Sequence, residues 1–186
     1  MIVRRRLLLA IVWMLPSVLL ALSCGERSPF SFDFEEAGIL DQLGWTCRTL
    51  YRLSADHATS GTRSLEVTFF PAPPEIGSSY PGVTLPAFDP DWTGRRSLVF
   101  DVYNPEDKDL RLTLRIDDRR APAYPERLNR GLTIAPGANH ISIPLSDLVT
   151  SGSRRPLNLA NILRLSLFMA NPRERHTLYL DWLRVE

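Results

Sequence analysis

An all-β fold, with two antiparallel sheets packed face to face as a β-sandwich, is what this sequence predicts, and three observations predict it. Apolar residues recur with a period of two in run after run, the mark of strands that bury one face. The 15 prolines fall almost wholly between those runs, where no ladder hydrogen bond is lost. Helical signal is confined to single turns at Ser146-Asp147-Leu148 and Asn158-Leu159-Ala160-Asn161.

The elements follow in order. Arg4-Arg5-Arg6 precedes an apolar run from Leu7 to Leu22 broken by Pro16, which is short for a bilayer span and suits the core of an export signal. Residues 1–23 are therefore expected to be a leader, 24–29 a polar tether and 30–186 the folded domain. Short strands are expected at 30–34, 45–53, 82–85 and 128–134. Leu65, Val67 and Phe69 alternate with Glu66, Thr68 and Phe70, and Leu98, Phe100 and Val102 alternate with Val99, Asp101 and Tyr103. The cleanest run sets Leu110, Leu112, Leu114 and Ile116 against Arg111, Thr113, Arg115 and Asp117. Ile141, Ile143 and Leu145 follow a Pro136-Gly137 turn, then come Leu163, Leu165, Leu167 and Met169, and finally Leu178, Leu180 and Trp182. About ten strands with Pro- and Gly-rich connections make a jelly roll. Trp92 and Trp182 read as core, and Cys47 as a small buried side chain.

At 44% hydrophobic and 23% charged, the chain has a globular composition and room for one domain. Without the three leader arginines, 19 basic residues face 21 acidic ones, too little positive charge for a nucleic-acid surface. Lys108 is the sole lysine, and the arginines are scattered rather than clustered.

Leu20-Ala21-Leu22-Ser23-Cys24 resembles the lipobox of bacterial lipoproteins, with Ala21 where Leu is usual. The resemblance implies a lipid on Cys24 and a membrane-tethered envelope protein. Gly25, in place of an inner-membrane Asp signal, leans toward the outer membrane. An ordinary secretory leader cut near Ser23 and an uncleaved anchor are the alternatives, and export follows from each.

The domain resembles the galactose-binding-like jelly rolls, the group that includes many carbohydrate-binding modules and the complex I intermediate-associated family. The residues that carry this are Phe32-Asp33-Phe34-Glu35, the stretch from Ser54 to Gly61, Trp92-Thr93-Gly94, the Pro136-Gly137 turn and the closing Leu178-Tyr179-Leu180-Asp181-Trp182. The resemblance implies a structural Ca²⁺ joining Asp33 or Glu35, the Thr59-Ser60-Gly61 loop and Asp181. Calcium takes six to eight hard oxygens, which carboxylates and carbonyls supply. A strand-edge Asp bonded to turn amides would give Asp181 the same sequence signature.

The resemblance also implies a non-catalytic site for a glycan or cell-envelope polymer on a polar sheet face. Arg115, Asp117, Asp118, Tyr124, Arg127 and Asn129 offer the aromatic and planar polar groups that saccharides call for, and Trp45, Arg48 and Tyr80 could join them. The competing reading has Arg115 and Asp117 as cross-strand ion pairs and Tyr124 packed under a Pro-rich loop. An envelope scaffold that docks another protein through its sheet face is the alternative function. No enzyme is expected. His57, His140 and His176 have no metal-site spacing, Ser60 lacks a nucleophile elbow, and the adjacent Asp117 and Asp118 point to opposite faces of a strand.

Overall fold

The computed structural model describes residues 31–86 and 89–186; the expected leader, Cys24 and the tether lie outside them. Among the described residues, eleven strands form two sheets in which every pairing is antiparallel. They are β1 (Ser31–Phe32), β2 (Gly44–Trp45), β3 (Thr49–Ser54), β4 (Ser64–Phe69), β5 (Gly82–Pro86), β6 (Ser97–Asn104), β7 (Leu110–Asp117), β8 (Leu128–Ile134), β9 (Gly137–Pro144), β10 (Arg164–Phe168) and β11 (His176–Val185). One sheet runs β3-β4-β11-β6-β9, with β1 added along β11, and the other runs β2-β5-β10-β7-β8. This is the expected sandwich. Each long strand turns its alternating apolar residues inward, and Leu65, Val67, Phe69, Phe100, Leu112, Leu114, Ile116, Leu165, Leu167 and Leu178 make one shared core.

Three expectations change. The single strand expected at 45–53 is two strands in different sheets, β2 and β3. The break falls at Arg48, whose φ of 62° no extended strand allows.

The second change concerns Trp182. The register of β11 against β6 shifts between Asp181 and Arg184, and Trp182 has a φ of 44°. The bulge inserts one residue and reverses the alternation. Leu178 and Leu180 face inward, then Leu183 and Val185 do, and Trp182 is left 39% exposed with the Arg184 guanidinium 3.8 Å from its ring centroid. Trp92, by contrast, is fully buried as expected, and its backbone amide donates to the Leu159 carbonyl at 2.7 Å.

Third, Cys47 is exposed rather than buried, because it sits in the turn between β2 and β3, where the chain leaves one sheet for the other.

Candidate functional site

The outward face of the five-stranded sheet carries a groove of about 420 Å³. Its floor is set by register. On β7 the inward Leu112, Leu114 and Ile116 leave Thr113, Arg115 and Asp117 outward; on β10 the inward Leu165 and Leu167 leave Arg164, Ser166 and Phe168 outward. Pairing then aligns these residues across the sheet. Thr84 lies opposite Ser166, Ser166 opposite Arg115, and Arg115 opposite Asn129. Three inter-strand spacings make this polar row about 14 Å wide. A second row runs Gly82, Phe168, Thr113, Gly131.

Within the floor, the Thr84 and Ser166 hydroxyls are 2.8 Å apart. Arg115 donates from Nε and Nη2 to the two oxygens of Asp117 at 2.9 and 2.6 Å. This pair lies along one strand at i and i+2, not across strands. Asp117 is buried and borders the neighbouring hollow rather than the groove, so it orients Arg115 instead of meeting a ligand. The amide nitrogen of Asn129 is buried with no hydrogen-bond partner, while its backbone N–H donates to Ser151 Oγ at 2.8 Å.

Aromatic rings stand at both sides. Tyr124, 67% exposed, sits on a 3-10 turn at Tyr124–Glu126. It is therefore not packed beneath the loop. Tyr80, 49% exposed, meets Phe168 edge to face at 5.8 Å between ring centroids. Gly82 permits this wall, since a Cβ there would lie 2.4 Å from both the Leu167 carbonyl oxygen and Phe168 Cβ.

The Tyr124 turn is held from behind. Arg127 Nε donates to the Pro122 carbonyl at 2.7 Å, and Gly152 and Ser153 both donate to the Pro125 carbonyl at 3.1 Å. Arg155 links Glu126 on the turn, at 3.3 Å, to the fully buried carboxylate of Asp118. Burial opposes ionisation of Asp118, yet the Arg155 guanidinium and the Asn158 amide outweigh it and hold the carboxyl below its ordinary range.

Of the residues expected at the site, Arg115, Tyr124, Arg127, Asn129 and Tyr80 line one groove. Asp117, beside Arg115 on the same strand face, and Asp118, behind the Tyr124 turn, support the groove without lining it. Arg48 does not belong: its Nε donates to the Pro71 carbonyl at 2.7 Å, bracing the crossing between sheets. Trp45 contributes a backbone position opposite Val83 on the edge strand β2. Thr46, Thr84, Thr113, Arg164, Ser166 and Phe168 also line the groove and are absent from the expected set. For β10 the signal was present, since residues alternating with Leu165 and Leu167 must share the face of Arg115 once the strands pair.

The residues that the resemblance gave to calcium occupy two separate amide cradles. Asp181 Oδ2 accepts from the Thr59 and Ser60 amides at 2.5 and 2.8 Å, and its Oδ1 accepts from the Trp182 amide at 2.7 Å. Burial pushes the Asp181 carboxyl up, against these hydrogen bonds. Glu35 accepts from the Thr62 and Arg63 amides at 2.8 and 2.7 Å, which hold its pKa low. Asp33 Oδ1 accepts from the Glu35 amide at 3.3 Å. The positive ends of N–H dipoles therefore point where a cation would sit, and no group of three or more acidic, His or Cys side chains among the described residues could hold a metal. The set does not fit Ca²⁺ in this geometry.

A second hollow, about 400 Å³, lies on the other sheet around His57, Tyr103, Tyr179, Asp101 and His140. Asp101 joins His140 Nδ1 at 2.7 Å and accepts from Thr59 Oγ1 at 2.7 Å. The hydroxyl thus bonds the carboxylate and not the imidazole, so these three groups do not form a nucleophile–base pair.

No family model matches this chain, and no curated protein matches it either. Solved structures do. A family 11 carbohydrate-binding module in solution, CtCBM11, superposes with a TM-score of 0.66 at 18% identity, covering 89% of this chain and 97% of that one. The shared fold is a jelly-roll β-sandwich. A family 11 module from Clostridium thermocellum, in complex with a β-1,3-1,4-mixed-linked tetrasaccharide, gives 0.62 at 17% identity over 83% and 92% of the two chains. The CBM22-1 xylan-binding domain from Paenibacillus barcinonensis gives 0.54 at 14% over 85% and 94%. An exo-β-agarase matches with 0.62 at 17% over 83% of this chain, which spans only 25% of the agarase.

Proposed function

We propose that this chain is an exported, lipid-tethered glycan-binding module that seats an oligosaccharide in the groove across β5, β10, β7 and β8. One observation carries the reading: two exposed tyrosines, Tyr80 and Tyr124, border a floor of aligned hydroxyl, amide and guanidinium groups. Aromatic faces stack on the C–H face of a sugar ring, and planar polar groups take its hydroxyls in pairs. A site of about 420 Å³ is in the range of pockets that enclose a small ligand. Structures of the same fold, one holding a tetrasaccharide and one a xylan-binding domain, support glycan binding by this architecture. The Arg4-Arg5-Arg6 leader and the lipobox-like run ending at Cys24 support tethering, and Gly25 supports the outer membrane.

Affinity electrophoresis of the chain through gels containing soluble polysaccharides tests the binding. Retention that falls with Tyr124→Ala and with Tyr80→Ala is the expected result; retention indifferent to both would remove the groove from the proposal. Absence of retention on every polysaccharide would favour a scaffold that docks a protein. Lipidation is tested by labelling cells with a radioactive fatty acid, where Cys24→Ser should abolish incorporation.

A further inference from the structure

The groove's charge points to the class of glycan. Three arginines, Arg115, Arg127 and Arg164, line it, and among the described residues no Asp or Glu does. Asp117 pairs with Arg115 through both oxygens and lies 3.7 Å from Arg164 Nη1, so a single carboxylate stands against two guanidiniums. Arg127 donates through Nε to a neutral carbonyl, Pro122, and keeps its charge. The nearest acid in sequence, Glu126, is engaged by Arg155 at 3.3 Å and Arg119 at 3.5 Å. The hollow on the opposite sheet has the reverse character, lined by Asp101 and Asp181 with no Arg or Lys among the described residues. The two hollows therefore carry formal charges of opposite sign. Because Lys108 is the sole lysine, the choice of Arg over Lys carries no weight; the uncompensated charge does.

Resting on the glycan-binding reading of this groove, we infer that its ligand is an acidic polysaccharide whose carboxylates meet Arg127 and Arg164, while Tyr124 and Tyr80 take the ring faces. A guanidinium receives a carboxylate through two parallel N–H bonds. The buried, unpartnered amide nitrogen of Asn129 is a neutral donor beside them. A neutral glucan would leave the positive charge uncompensated as it displaces water from the groove.

Affinity electrophoresis and calorimetry of the full chain in non-ionic detergent test this, with polygalacturonate and alginate as acidic probes and mixed-linkage β-glucan and xylan as neutral ones. Tighter binding of the acidic probes is expected, weakening as added salt screens the charges. Arg127→Gln and Arg164→Gln should each weaken it by about tenfold, and Arg173→Gln, outside the groove, should not. Equal or tighter binding of neutral glycans without salt dependence would overturn the acidic ligand and leave the glycan site standing. Loss of acidic binding in Arg173→Gln equal to that in Arg164→Gln would also overturn it, as diffuse attraction. No retention on any probe would overturn both readings.

Discussion

Arg155 closes on Asp118 through both terminal nitrogens, Nη1 at 2.7 Å and Nη2 at 2.9 Å. The carboxylate is buried just past the end of β7, and the same guanidinium reaches out to Glu126 on the turn that presents Tyr124. A residue that touches no ligand thereby sets the position of the most exposed aromatic ring in the groove.

Asp118→Asn should cost about 2 kcal/mol of stability at neutral pH, the scale of hydrogen bonds to charged groups, and should weaken glycan binding although the side chain at this position does not line the groove. Denaturant unfolding and calorimetry check the two effects. The pH sign follows from the lowered carboxyl. A depressed acid contributes its stability above the unfolded value, about 3.9, and loses it as pH falls through the folded value. The variant should therefore show a shallower loss of stability in acid than the parent. An identical acid limb in both proteins would show that the pair contributes nothing.

Gly82→Ala should destabilise by about 1–3 kcal/mol, the usual cost of overpacking. The added Cβ would meet the Leu167 carbonyl and Phe168 Cβ at 2.4 Å, and both belong to the neighbouring strand β10. Displacing Phe168 also disturbs Tyr80, so weaker glycan binding should accompany the lower melting temperature. Unchanged values in both measurements would place more freedom between β5 and β10 than the structure allows.

The two tryptophans should separate sharply. Trp92→Ala removes a fully buried ring and should cost about 3–5 kcal/mol. Trp182→Ala removes a ring that is 39% exposed and stacked under Arg184. It should cost about 1 kcal/mol, close to the worth of an exposed cation–π contact. Chemical denaturation of both variants measures the difference, and similar losses would contradict the outward turn at the β11 bulge.

Chelation should leave the melting temperature where it is. Glu35 and Asp181 already satisfy backbone amides, and a ligand that binds only the folded state would raise stability with its concentration. Thermal melts with millimolar calcium and with EDTA check this. A rise with calcium that Asp181→Asn abolishes would mean that the two cradles rearrange around an ion.

Much of the groove was legible along the chain because a pleated strand sends alternate residues to opposite faces. Leu110, Leu112, Leu114 and Ile116 marked the inward face of β7, and so marked Thr113 and Arg115 as outward. Tyr124 and Arg127 were legible as polar-edge residues near that strand. The same logic failed for Trp182, since a bulge reverses the alternation and leaves no mark in hydropathy. It failed for Arg48 too, because a positive φ places this residue in the turn between β2 and β3 rather than on a strand.

The sequence by itself determined the fold class, the buried face of each long strand and the near-neutral balance of charge, all of which depend on local pattern or composition. The tertiary structure alone decided that β10 lies between β5 and β7. Strand neighbours are chosen by contacts far apart in the chain, such as Ser166 with Thr84 and Arg115. That pairing aligns residues from four strands into one row and leaves Arg127 and Arg164 on the same face with no carboxylate among the described residues lining the groove between them.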